Sequence, residues 1–461
     1  MSHLYLSAAH KSSGKTTLSI GLCAALAESG QKVQAFKKGP DYIDPLWLGQ
    51  ASGNPCYNLD FYTMSRDEIY TLFDQKIAGA DIGIVEGNKG LYDGLDLDGS
   101  NSNAALAAML DAPVVLVLDS QGMTRGIAPL ILGYQAFDSN IRIAGVILNK
   151  VGGARHESKL RKVIEHYTDV PVIGAVRKSE ELSIDERHLG LVPSNEADAS
   201  TAQIARMGSI VRDQVNLDLI RDIAKSTSYE AKTDEVLQHN DRVEQEKLTV
   251  AYAKDEAFGF YYADDLEALA SAGAELKPFS PIDDAELPSC DALFLGGGFP
   301  ETHIDLLTKN SAMLNSIKNA IESGLPTYAE CGGLMYLCRD LTWDAKQGKM
   351  VGLIPADVVM HVKPQGRGYV KLQETASHPW PRRDDAEAEI SAHEFHYSGL
   401  ENLPEGMTYA YEVVRGYGID GNYDGICYRN LLASYAHLRN TSGNRWASRF
   451  IDFVQDCKGK K

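Results

Sequence analysis

The sequence predicts two α/β domains, and three observations carry that expectation. The chain has 461 residues, more than a single hydrophobic core usually supports. Its first two hundred residues alternate short apolar runs with helix-like segments, and a similar rhythm resumes after a polar stretch. The runs are β-branched and nearly continuous, as expected of parallel strands covered by helices on both faces in a doubly wound sheet.

In the first domain the predicted strands are HLYLSA (3–8), KVQAF (32–36), DIGIVEG (81–87), APVVLVLD (112–119), IAGVILNKV (143–151) and VPVIGAV (170–176). The helix TTLSIGLCAALAESG places Leu18, Leu22, Ala25 and Leu26 on one face, with Gly30 as its C-terminal cap. Residues 226–247, STSYEAKTDEVLQHNDRVEQEK, show no regular apolar period and read as a connector between domains 1–225 and 248–461. The second rhythm runs through LTVAYA (248–253), DALFLGGGFPE (291–301), a helical stretch to Ser323 and LPTYAECGGLMYL (325–337). Its tail, with GRGYVKL (366–372) and ICYRNLLASYAHL (426–438), looks richer in strands.

Composition narrows the function. Lys plus Arg is 45 and Asp plus Glu is 63, so the formal charge is 45 − 63 = −18. Such a surface repels nucleic acid and anionic membranes, and an anionic substrate would need a locally basic pocket. Seven cysteines, an odd number with no CxxC pair, read as reduced thiols in a reducing compartment. The start lacks a signal peptide, and no apolar run approaches the about 20 residues that span a bilayer. A soluble cytoplasmic protein is expected.

Gly14-Lys15-Thr16-Thr17 follows a predicted strand and opens a predicted helix, the context in which free backbone N–H groups grip phosphate. Lys15 would neutralise the β- and γ-phosphates of ATP, Thr16 would ligate Mg²⁺, and Ser13 completes the loop. The phosphate-loop pattern asks for glycine where this chain has Ala9, so the loop is a variant. Asp41, Asp44 and Glu86 lie at strand ends that face the ligand crevice, and Asp41 and Glu86 are expected to join Thr16 on the metal. Asn149, ending its strand, suits either a hydrogen bond to the nucleotide base or the capping of a turn.

TYAECGGLMYL has the layout of a nucleophile elbow: strand, sharp turn, helix. Cys331 would sit at the helix start with its thiolate favoured. Gly332 would supply one oxyanion N–H, and Gly297 and Gly298 in LGGGFPE a second. His437 is the expected base, with His393 and His396 as competitors.

Taken together, GKTT, FKKGPDYIDP, VEGNKGLYDG, ERHLGL, FGFYYADDLEAL, FLGGGFPE, AECGGLMYL, HEFHYS and ASYAHL resemble the cobyrinic acid a,c-diamide synthase family over nearly the whole chain. The resemblance implies an N-terminal P-loop domain of the dethiobiotin-synthetase kind and a C-terminal class I glutamine amidotransferase domain. It implies that Cys331 and His437 release ammonia from L-glutamine, while ATP and Mg²⁺ activate a carboxylate of a tetrapyrrole polyacid as an acyl phosphate. A homodimer is also implied. Lys37, Lys38 and Lys89 would receive the polyanion, with Tyr42, Asp44 and Trp47 beside it and the aromatic rings stacking on the macrocycle. The unusual HKSS, Asn88-Lys89 and Trp47 residues also suit a related branch that amidates sirohaem. Related glutaminases carry Glu two residues after the histidine. This chain has Arg439 there, so the acid comes from elsewhere, Glu394 for instance, or a Cys–His dyad suffices. A P-loop switch ATPase is the rival of another class, but it has no use for Cys331 and His437.

Overall fold

The computed structural model describes all residues except 188–189, 197–199, 233–246, 384, 386 and 460–461. It divides into two compact units, Met1–Val236 and Leu237–Lys461. Most of the connector read over 226–247, and the centre of ERHLGL, lie outside the described residues. The beginning of that connector belongs to the first unit. Tyr229 is buried, donates its hydroxyl to Asp74 Oδ1 at 2.7 Å, and packs edge-on against His3 and Phe73. Its isolation in a polar stretch hid that anchor from periodicity.

The first unit is built on a seven-stranded, all-parallel sheet. Its strands are β1 (His3–Ala8), β2 (Val33–Lys38), β3 (Tyr57–Leu59), β4 (Ile82–Glu86), β5 (Val114–Asp119), β6 (Ile143–Val151) and β7 (Val172–Arg177), in the order β3-β2-β4-β1-β5-β6-β7. Six of these were expected; β3, only three residues long, carries no readable period. Leu4, Leu6, Ile82, Ile84, Val115 and Val117 are fully or nearly fully buried and join Leu18, Leu22, Ala25 and Leu26 of helix α1 (Lys15–Glu28) in one core. β1 lies between β4 and β5, so the strand order runs to β2 and β3 on one side of it and to β5, β6 and β7 on the other. The crevice beyond the carboxyl ends of β1, β2 and β4 is where such a sheet holds its ligand.

The second unit carries a mixed nine-stranded sheet. In spatial order its strands are Ala274–Phe279, Leu248–Ala253, Ala292–Leu295, Thr327–Glu330, Leu431–Ser434, Tyr423–Tyr428, Thr408–Arg415, Gly366–Glu374 and Ile390–His396. The first five are parallel and the rest antiparallel. Thr327–Glu330 and Leu431–Ser434 are neighbours in register, Glu330 opposite Ser434, which brings the chain just past each to one end of the sheet. No described helix is long and apolar enough to cross a membrane.

Candidate active site

The loop from Ala9 to Gly14 turns between β1 and α1 with Ser12 at φ +68° and Gly14 at φ +85°. Both φ values lie in the left-handed region, and a Cβ on Gly14 would also stand 2.1 Å from the Asn149 amide nitrogen. The turn is therefore made at 12 and 14, which is why Ala is accommodated at position 9. The Ala9 carbonyl is held by the Tyr134 hydroxyl. Ser13 donates to His10 O at 2.8 Å, and Thr17 donates to Gly14 O at 3.0 Å. Asn149 uses its amide on Ser13 O at 2.8 Å, bracing the loop from β6.

Glu86, at the end of β4 and fully buried, organises this end of the sheet. Its Oε1 accepts from Lys15 at 2.7 Å, Lys37 at 2.9 Å and the Thr16 hydroxyl at 2.9 Å. Burial alone would raise its pKa, but the Lys15 and Lys37 ammoniums hold it at about 2, so Glu86 is ionised. Its Oε2 is buried and has no hydrogen-bond partner among the described residues. Burial likewise opposes the charge on Lys37, but Asp44, Glu86 and Asp41 outweigh it and keep the pKa well above the ordinary lysine value.

Asp41 and Asp44 separate in role. Asp41 Oδ1 caps the helix Ile43–Ser52, accepting from Ile43 N at 3.0 Å and Asp44 N at 3.1 Å. Asp44 is the one brought to Thr16, 3.3 Å from its hydroxyl, and it pairs with Lys37. Two substrate-pocket expectations need correction. Trp47 is fully buried in the core with its indole N–H on Val192 O at 2.9 Å, so it offers no face to a macrocycle. Lys37 is committed to three carboxylates and is not a free cation. Lys38 differs: it is 6 % exposed, its ammonium lies 5.9 Å from the centre of the Phe61 ring, and it makes no ion pair among the described residues. Burial, only partly offset by Asp60 and reinforced by Lys89 and Lys37, brings its pKa down to about 8. Tyr42 is 8 % exposed at the helix N-terminus, and Lys89 is exposed with φ +38°. That loop is pinned by Asn103, which accepts from Tyr5 OH and Asn88 N at 2.9 Å each and donates to Gly90 O at 2.6 Å. A lone Asn at a helix start gave no warning of it.

In the second unit Cys331 stands between the strand Thr327–Glu330 and the helix Gly332–Leu337 at φ +46°, ψ −102°. A non-glycine residue held there costs about 1–3 kcal/mol and recurs at nucleophile elbows. The turn is fixed by Cys331 N donating to Ser434 O at 2.8 Å. The thiol is buried, and burial, with Glu301 and Glu330 adding to it, pushes its pKa up. The resting thiolate expected at the helix start is thus opposed by burial.

His437 lies just past Ser434, the end of the neighbouring strand. Its Nδ1 lies 3.3 Å from Glu330 Oε2, the residue immediately before the cysteine. Glu330 Oε1 accepts from the Tyr328 hydroxyl and from Leu438 N at 3.0 Å. A carboxylate at Nδ1 assigns the proton to that nitrogen and leaves Nε2 to accept. The carboxylate that holds His437 is therefore Glu330, not Glu394. Both Glu394 oxygens are taken by the Tyr417 and Gly418 N–H groups at 2.7 and 2.8 Å. Arg439, two residues past His437, instead pairs with Asp264 at 2.7 Å and caps the Tyr262 ring at 4.2 Å.

The glycines close the arrangement. A Cβ on Gly297 would stand 2.7 Å from His437 Cε1, and one on Gly332 would meet Gly298 N at 3.0 Å. The Gly297-Gly298 segment thus touches both the histidine and the turn after the thiol. His396 is occupied elsewhere, stacked on Tyr435 at 3.8 Å with Nδ1 on Ser398 O at 2.8 Å.

The sequences of the two units match known proteins. A family model described as a CobQ/CobB/MinD/ParA nucleotide binding domain matches residues 8–192, and one described as a CobB/CobQ-like glutamine amidotransferase domain matches 249–444. A cobyrinate a,c-diamide synthase of Magnetococcus marinus is 46 % identical over 456 residues, 98 % of this chain and 97 % of that protein. Proteins of the same name from Caldanaerobacter subterraneus subsp. tengcongensis and Methanothermobacter thermautotrophicus are each 38 % identical, covering 96 % and 95 % of this chain and 96 % of each relative. With both domain models matched in one chain and relatives of that name aligned over nearly its whole length, the chain belongs to the cobyrinate a,c-diamide synthase family.

Proposed function

We propose that this protein is an ATP- and glutamine-dependent amidoligase of cobalamin biosynthesis that converts the a and c acetate carboxylates of a cobyrinate-type tetrapyrrole into amides. The observation that carries the reading is the Cys331, His437, Glu330 constellation in a chain that also bears the Lys15–Glu86 phosphate site. A switch ATPase accounts for the second of these and leaves the first without purpose.

The chemistry divides between the units. His437 Nε2 takes the Cys331 proton, the sulfur adds to the amide carbon of glutamine, and the oxyanion is met by the N–H groups of Gly332 and the Gly297-Gly298 segment. The imidazolium returns its proton to the leaving ammonia, and water then hydrolyses the thioester to glutamate and free thiol. In the first unit a carboxylate oxygen attacks the γ-phosphorus of ATP, giving ADP and an acyl phosphate. Ammonia adds to that carbonyl, and phosphate leaves. A carboxylate is a poor electrophile until phosphate becomes its leaving group, and free ammonia is mostly protonated near neutral pH. One chain therefore needs both sites.

Lys15 would meet the phosphates from the helix start, with Ser13, Gly14, Thr16 and Thr17 lining the cradle. The unsatisfied Glu86 Oε2, the Thr16 hydroxyl and Asp44 form an all-oxygen set that fits Mg²⁺. Among the described residues no three His, Cys, Asp or Glu side chains form a metal site by themselves. That suits an ion drawing most ligands from phosphate and water, whose chemistry is to neutralise charge on the transferring phosphoryl group.

Lys38 is the cation best placed to receive an acceptor carboxylate, with exposed Lys89 as a second. Lys38 is charged below about pH 8 and loses its charge as the pH rises through that value, so acceptor binding weakens above it. Lys38→Met is expected to raise the acceptor KM about 10- to 100-fold, leave the KM for ATP alone, and abolish that alkaline limb. An unchanged pH profile of the acceptor KM would remove Lys38 from the role.

Trp47, one of the residues that suited a sirohaem branch, is in the core, and the relatives named above bear the cobyrinate name. The deciding experiment is mass spectrometry of products from ATP, glutamine and, in parallel, cobyrinate, hydrogenobyrinate and sirohaem. Each carboxyl-to-amide conversion lowers the mass by about one unit, as the half-reactions require. Amidation of sirohaem alone overturns the assignment. A homodimer belongs to the same reading, supported by the outward apolar residues Leu132 and Phe137, 42 % and 74 % exposed. Sedimentation of the purified protein as a single chain would contradict it.

A further inference from the structure

The base His437 lies against a second imidazole that the reaction described above does not use. The His393 ring stacks on it with centroids 4.9 Å apart and planes 16° from parallel. The two residues also pair through their backbones, His437 N donating to His393 O at 2.8 Å and His393 N to His437 O at 3.3 Å. The His393 ring is oriented in turn, since its Nδ1 lies 3.2 Å from the Tyr262 hydroxyl. Tyr262 is itself held under the Arg439 guanidinium, which Asp264 anchors. A string thus runs from Asp264 and Arg439 through Tyr262 and His393 to the face of His437, and Glu330 holds that ring's edge.

We propose that His393 is a positioning residue for the glutaminase step: a neutral imidazole that fixes the plane of His437 and offers a π face to its cationic form. The inference rests on the glutaminase reading above. Glu330 reaches one nitrogen at the edge of His437, and the stacked His393 ring bears on its face. When His437 accepts the thiol proton, the cation lies against an aromatic face, which attracts it. A charged neighbour would repel it instead. Burial, with His437 and Arg439 close by, holds the His393 pKa well below the ordinary histidine value, so the ring stays neutral. This also explains why Arg439 stands where related glutaminases carry Glu: with Glu330 serving the imidazole from the other side, the position is free to anchor Tyr262.

The test is glutamine hydrolysis by the full-length protein carrying His393→Ala, His393→Phe or Tyr262→Phe. His393→Ala should lower kcat about 10- to 100-fold, the cost of a loosened catalytic group, with KM for glutamine unchanged. His393→Phe keeps a flat ring against His437 and should recover most of that loss. Tyr262→Phe removes only the hydroxyl and should lower kcat to a lesser degree, so the idea is tested even if His393→Ala fails to fold. Wild-type kcat in His393→Ala or in Tyr262→Phe, a loss appearing in KM instead of kcat, or no rescue by Phe each overturns the proposal. Absence of glutamine hydrolysis by the wild-type protein would instead overturn the glutaminase reading itself.

Discussion

Cys331→Ala is expected to abolish glutamine-supported amidation while ammonia, supplied at high concentration and alkaline pH, still drives it. In the proposed mechanism the thiol is the atom that takes the acyl group of glutamine. Loss of a nucleophile held by a positioned base costs about 10⁴-fold or more in turnover. In that mechanism the first unit would make its acyl phosphate without that sulfur, so an external nucleophile would reach the same product. The fold should survive: alanine keeps the Cys331 backbone bond to Ser434 and removes one buried sulfur. Amide product is counted by mass spectrometry with each nitrogen source in turn. Loss with both sources would mean that the residue supports the fold of the second unit. Unimpaired use of glutamine would mean that another residue attacks. Glu330→Gln gives the graded version of the same result. Its amide can place an N–H towards His437 Nδ1, which favours the wrong tautomer, and a drop of about 10²–10⁴-fold is expected with ammonia use spared.

Much of this arrangement was legible in the amino-acid order, and the illegible part shares a cause. Six of the seven strands of the first unit are mostly apolar runs bounded by turns, so burial alone declares them. GKTT and AECGG were readable because each binds its chemistry to consecutive residues. What escaped depends on register between segments far apart in the chain. Glu330 was in plain view beside the cysteine, yet its partner comes 107 residues later, through the pairing of Glu330 with Ser434. Trp47 lies near the acidic motif and invited an aromatic contact with ligand. It sits on the inner face of a helix whose partners include Val192, and its burial is a property of that packing. Lys37 and Lys38 look equivalent as neighbours in sequence. Alternation along β2 separates them, one to the carboxylates of Asp44 and Glu86 and the other to the Phe61 ring.

Lys15→Ala is expected to stop amidation with either nitrogen source, and the charge balance of the site says why. Lys15 and Lys37 share Glu86 Oε1, while Asp41 and Asp44 lean on Lys37 from the other side. Removing one ammonium leaves three carboxylates around a single cation, at the point where a triphosphate has to approach. Affinity for ATP should fall, and the phosphoryl group loses a cation that neutralises charge developing in the transition state. Losses of about 10²–10³-fold in kcat are typical when one such contact is deleted. Lys15→Arg should not restore activity, because the planar guanidinium is larger than the ammonium that fits 2.7 Å from Glu86 in a buried setting. Glutamine hydrolysis, measured alone, should persist in Lys15→Ala, since its residues belong to the other unit. That separates a disabled phosphate site from an unfolded chain. Amide formation from ammonia at the wild-type rate in this variant would show that the acceptor is activated without the GKTT loop.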